Sequence, residues 1–169
     1  MIGTVLKTID AEASRKSFPE DYHPRKAIDN NLTTSFWSAN IEENMVSDYL
    51  WLQVELEGYS EVQRVRFISS ELLSNVEVRV GNTEYDPSST IKQQEKDISK
   101  NEICNVYPDA AKLEEQIDMV CNKSLLGGYV SFQILDIRAK AMRVRELEVY
   151  GKRKGKFAII NSFLFISNF

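Results

Sequence analysis

The fold is decided by Leu126-Gly127-Gly128-Tyr129-Val130-Ser131-Phe132-Gln133-Ile134 and, shortly after it, Met142-Arg143-Val144-Arg145-Glu146-Leu147-Glu148-Val149-Tyr150-Gly151. Each run alternates apolar and polar side chains with period two, the pattern of a strand that buries one face. The second run breaks its own rhythm at a carboxylate: Met142 and Val144 share one parity, whereas Leu147 and Val149 share the other. Either Glu146 points inward or a bulge absorbs one residue and re-aims the side chains, and bulges gather at strand ends beside functional sites. Glu146 is therefore a candidate functional residue on pattern alone.

Outward from these runs the same period recurs. Residues 49–56 place Leu50, Leu52, Val54 and Leu56 on one face and Trp51, Gln53 and Glu55 on the other. Residues 62–69 turn Val65 and Phe67 inward and Arg64 and Arg66 outward; Val76, Val78 and Val80 form a third strand with Glu77 and Arg79 outward, closed by a Gly81-Asn82 turn. Residues 86–119 change character, with Pro87-Ser88-Ser89 followed by many charged and amide side chains. They read as a long irregular loop with a helical turn around 110–117, after which strands resume at Tyr129. Short strands with turn signals, and no strand-helix alternation, predict an all-β antiparallel sandwich rather than a βαβ architecture.

A chain of 169 residues accommodates one domain with a real core. The domain is read as residues 1–151, followed by a tail, 152–169, that begins Lys152-Arg153-Lys154-Gly155-Lys156 and turns apolar. The apolar part falls short of the roughly 20 residues that a spanning helix needs. Net charge of −4 and a pI near 5.2, with no basic stripe among aromatics, argue against nucleic acid as a partner. Cys104 and Cys121 are spaced for neither a zinc site nor a thioredoxin-type pair. Joined, they would close a loop worth roughly 3 kcal/mol on the chain-entropy model and imply an extracellular address; the alternative is two unrelated thiols. The sequons Asn31-Leu32-Thr33 and Asn122-Lys123-Ser124 point the same way, although no signal peptide is visible at the amino terminus.

Several runs occur in one order: Ala27-Ile28-Asp29-Asn30-Asn31, Trp51-Leu52-Gln53-Val54-Glu55-Leu56, Val76-Glu77-Val78-Arg79-Val80-Gly81-Asn82, Asn101-Glu102-Ile103-Cys104, Gly127-Gly128-Tyr129-Val130 and Glu146-Leu147-Glu148-Val149-Tyr150-Gly151. That order resembles the fucolectin, or F-type lectin, branch of the discoidin-like, galactose-binding-like domains, over nearly the whole chain short of the tail. The resemblance implies a jelly-roll β-sandwich with ligand loops at one end and a structural calcium ion beneath them. Where the family has glycine, this chain has Asn30, the residue that best tolerates the left-handed conformation glycine would supply.

Calcium takes about six to eight hard oxygens, many of them backbone carbonyls of a tight loop. The resemblance implies side-chain oxygens from Asp29 and Glu146 and carbonyls from Lys26, Asn31, Asn40 and Arg145. Two separate lines therefore meet at Glu146. Fucose-binding members use a histidine and two arginines in an Arg-Gly-Asp-Cys-Cys-x-Glu-Arg run. Here the chain passes through Phe67-Ile68-Ser69-Ser70-Glu71-Leu72-Leu73-Ser74-Asn75, and that motif is missing. The histidine's place falls near Glu43, and the single histidine, His23, reads as a surface turn residue. Glu43, Arg66 and Glu71 are the remaining candidates for the ligand rim.

With one turn-like histidine and a cysteine pair, a nucleophile-base arrangement has no members, so the chain is read as a non-enzyme. The expected function is a calcium-stabilised lectin-like module that binds glycans or glycoproteins, in an oligomer or multidomain context where several copies add their affinities. The alternative is a discoidin-type adhesion module that binds a protein or phospholipid, with Phe36 and Trp37 exposed on a loop.

Overall fold

A computed structural model describes residues 3–14, 20–38, 50–135 and 141–155. Eight strands form in chain order: β1 (Thr4–Val5), β2 (Thr8–Ala13), β3 (Phe36–Trp37), β4 (Leu50–Ser69), β5 (Leu73–Gly81), β6 (Glu102–Ala111), β7 (Gln116–Ile134) and β8 (Arg143–Gly155). One α-helix, α1 (Ile91–Ile98), lies between β5 and β6, and two 3-10 turns, Glu20–Tyr22 and Pro24–Ala27, precede β3. Among the described residues no helix is long and apolar enough to cross a membrane.

All pairings are antiparallel, and the two longest strands are shared by both layers of a jelly-roll sandwich. The first part of β4 lies between β2 and the second part of β7, which continues to β5 and β6. The second part of β4 lies between β8 and the first part of β7, while β1 and β3 flank β8. The crossing point is where Glu55 pairs with Tyr129 and Ser60 with Gly127, so that residues 56–59 face Gly128 alone. Gly58 supplies the turn there with φ 104°. Gly127 is needed for close approach, since a Cβ on it would sit 2.4 Å from the Gly81 carbonyl oxygen.

Alternation therefore identifies the inner faces. Leu52, Val54, Val65, Phe67, Val78, Phe132 and Val149 are all buried, and Phe67 and Phe132 meet edge to face at 4.7 Å across the core. The two runs expected as separate strands, 49–56 and 62–69, are parts of one continuous β4.

The structure departs from the sequence pattern at several places. Trp51 and Gln53 are buried, not solvent-facing, because residues 82–101 fold over the outer face of β4: Trp51 packs on Tyr85 at 4.8 Å, and the Gln53 amide bonds Thr83, Ser131 and Tyr85. Glu77 is buried under the same cover, paired with Arg79 at 2.5 Å, whose Nη1 donates to the Ser99 and Asn101 carbonyls. The expected long loop holds α1, β6 and the start of β7, and residues 110–117 form a strand end, a turn and a strand start rather than a helical turn. Much of β6 is exposed, so it shows no apolar alternation; pairing to β5 and the Cys104–Cys121 disulfide hold it. β8 continues to Gly155 and pairs with β4 through Lys152, Arg153 and Gly155, so the sheet extends past the expected boundary at 151.

Candidate functional site

The parity break in β8 has both of the causes that the sequence allowed. Ser69 pairs with Val144 and Ile68 with Glu146, which leaves Arg145 as the extra residue of a bulge. Glu146 follows it, turned inward and only 5% exposed. Its Oε2 has no hydrogen-bond partner among the described residues.

The second acid arrives from the other end of the chain. His23 caps the turn Pro24–Ala27, its Nδ1 accepting the Arg25 N–H at 3.3 Å, in keeping with a turn role. Arg25 ties this turn to β2 through a two-pronged pair with Asp10, at 2.7 and 2.9 Å. The chain then reverses at Asn30, whose φ of 56° is the left-handed conformation expected of it. The Asp29 Oδ1 accepts the Asn31 N–H at 3.0 Å, and the Thr34 hydroxyl lies 2.9 Å from both Asp29 oxygens.

The turn at Asn31 brings Asp29 close enough for its charge to act on Glu146, and the Asn31 backbone amide, which bonds Asp29 Oδ1, favours the charged form of Glu146. Burial, with the neighbouring Asp29 charge adding to it, pushes the Glu146 carboxyl up to about 7. A buried carboxylate beside another, with one oxygen unsatisfied, is costly unless a cation joins them. Among the described residues no three His, Cys, Asp or Glu side chains cluster to hold a metal. Calcium, however, takes many of its oxygens from backbone carbonyls, and two carboxylates at a tight turn suit it. Asp29 and Glu146 are oxygen donors of the kind that ion takes. Glu146 also borders an open cleft of about 380 Å³ between β1 and β8, lined by Leu6, Thr8, Ile28 and Asn30.

The other expected ligands are placed as follows. Lys26 Nζ lies 3.6 Å from Asp29 Oδ2. The Asn31 carbonyl accepts the Thr34 N–H at 3.0 Å. Arg145, on the bulge, pairs with Glu114. Asn40 and Glu43 lie outside the described residues.

Arg66 and Glu71 are not brought together. Arg66 belongs to a network on the outer face, with Asp118 at 3.1 Å, Glu148 at 3.4 Å and the Tyr150 ring 5.3 Å away. Glu71 sits in the turn after β4, where burial raises its carboxyl and the Arg143 charge partly offsets this. Phe36, expected on an exposed loop, is fully buried, while its neighbour Trp37 keeps part of its surface. The sequence reading missed Thr34 and Arg143. Arg143 immediately precedes the parity break, the one signal that could have drawn attention to it.

No protein-family model and no curated protein matches the sequence. Solved structures do match. The chain is similar to a fucolectin from striped bass (Morone saxatilis) serum, at TM-score 0.60 and 17% identity over 89% of this chain, and it spans 50% of that protein's length. It is similar to a chitosan-binding module, in complex with chitotriose, of a chitosanase/glucanase from Paenibacillus sp. IK-5, at TM-score 0.63 and 17% identity, covering 84% of this chain and 95% of the module. The family 32 carbohydrate-binding module from C. perfringens NanJ, in complex with galactose, matches at TM-score 0.58 and 11% identity, covering 83% and 92%. At these identities the likeness shows the fold alone, an all-β jelly-roll sandwich.

Proposed function

We propose that this chain is a non-catalytic, calcium-stabilised, lectin-like binding module of the extracellular space, recognising glycans or glycoproteins through loops at one end of the sandwich. The observation that carries the proposal is the inward Glu146, 5% exposed, with the Asp29 charge as its neighbour and a buried oxygen left unpartnered. Asp29 and Glu146 would give side-chain oxygens to calcium, and Lys26, Asn31, Asn40 and Arg145 would give carbonyls. Bound there, the ion would neutralise both acids and fix residues 29–34, which lead directly into β3. Structural neighbours that bind chitotriose and galactose support a sugar as ligand. The disulfide supports an oxidising compartment.

A glycan array probed with and without calcium tests the proposal. Binding that is strong with calcium and lost on chelation is the expected result. Silence on every glycan, together with capture by phosphatidylserine vesicles, would replace it with the adhesion reading.

A further inference from the structure

Two pairing steps along β8 from Glu146, three separate segments bring their side chains into one cluster. Tyr22 and Trp37 meet edge to face at 5.5 Å. The Arg143 guanidinium carbon lies 5.0 Å from the Trp37 ring centroid and 5.8 Å from that of Tyr22. Its Nε donates to the Ser35 hydroxyl at 3.4 Å, and among the described residues its Nη donors have no partner. The turn that carries Glu71 is tied to the same residue, the Arg143 carbonyl accepting the Ser70 N–H at 3.2 Å, and Leu72 beside Glu71 is 75% exposed.

From this arrangement we infer that Trp37, Arg143 and Glu71 form the seat of a neutral pyranose; the inference rests on the lectin-like reading and names the ligand class of its loop end. A guanidinium held over two aromatic rings is fixed in orientation, so its free donors are presented with little entropy left to lose. A donor fork, a carboxylate acceptor and a partly exposed indole are what a sugar ring asks for. Adjacent hydroxyls accept from Arg143 and donate to Glu71, while the C–H face of the ring lies on Trp37. A uronic acid would set its charge against Glu71 and is disfavoured. Because β3 follows directly from residues 29–34, an ordered acid turn positions Trp37 without touching the sugar.

Intrinsic fluorescence isolates the site, because the chain has two tryptophans and Trp51 is only 1% exposed. The full chain with saturating calcium is titrated with galactose, fucose, mannose, N-acetylglucosamine and glucuronic acid while acrylamide quenching is followed. At least one neutral sugar protects Trp37, glucuronic acid protects less, and both Arg143→Lys and Glu71→Gln weaken that sugar about tenfold, the loss of one paired hydrogen bond. The calcium-dependent gain in Tm is retained in both variants, which separates binding from folding. Three results would overturn the inference: no neutral sugar protects Trp37, glucuronic acid binds most tightly, or Arg143→Lys binds as the parent does. Array binding that persists without Trp37 protection leaves the lectin-like reading standing and moves the sugar elsewhere, whereas a silent array removes both.

Discussion

Glu77 and Glu146 are both strand glutamates at 5% exposure, yet they answer their burial in opposite ways. Glu77 brings its own cation: Arg79 lies 2.5 Å away and is itself tied to two carbonyls beneath the loop that carries α1. Glu146 faces a second acid instead, and keeps an unpartnered oxygen. A buried acid with an internal counter-charge belongs to the scaffold. In the proposed reading Glu146 takes its counter-charge from outside, and that separates the layer of β5 and β6 from the end of the sandwich that carries Asp29 and Glu146.

The comparison breaks most sharply at Arg79. Arg79→Ala strands the Glu77 charge under its cover and should cost about 3–5 kcal/mol in urea unfolding, a loss that calcium does not restore. Rescue by calcium would mean that the two glutamates are not distinct in kind. Next in size is the covalent support of the same layer. Reducing Cys104–Cys121, which holds β6 against β7, should remove roughly 3 kcal/mol equally with and without calcium.

Near Asp29 and Glu146 the expected effects are smaller. Asn30→Val forces a branched side chain into φ 56° and should lower stability by about 1–2 kcal/mol, while Asn30→Gly stays within a few tenths. Equal Tm values for the two variants would remove the left-handed turn from the account. The smallest effect belongs to the Asp10–Arg25 tether. The Arg25 hydrogen bond holds the Asp10 carboxyl below its usual range, so its contribution is present above pH 3.8 and disappears as pH falls through the depressed value. Wild type and Arg25→Ala should therefore converge in stability at acid pH and differ slightly at neutrality, where the exposed pair is screened by salt.

The inner faces were legible because one buried side imposes strict alternation, and Leu52, Val54, Val65, Phe67, Val76 and Val78 obey it. Glu146 was legible for the converse reason: a bulge shifts parity, and the shift is visible in the chain. What local pattern could not show was burial imposed from a distance. Trp51, Gln53 and Glu77 alternate as an outer face should, and only the folding of residues 82–101 over them takes them out of water. β6 escaped because its strand state comes from pairing and a disulfide rather than from an apolar face. α1 did carry a signal, the capping pair of Thr90 and Gln93, whose N–H bonds the Thr90 hydroxyl at 3.3 Å. The cluster of Tyr22, Trp37 and Arg143 left no trace beyond the parity break that follows Arg143, since β3 is two residues long and the three side chains share no local period.

Thermal unfolding of the parent chain and of Glu146→Gln, each in calcium and in chelator, tests the central claim most directly. With calcium at about a hundred times its Kd, the parent should gain about 2.7 kcal/mol, read as a rise in Tm. The variant, freed of one charge beside Asp29, should unfold in chelator no earlier than the parent and gain nothing from calcium. Identical curves for the parent in calcium and chelator, or an undiminished calcium response in Glu146→Gln, would contradict the account.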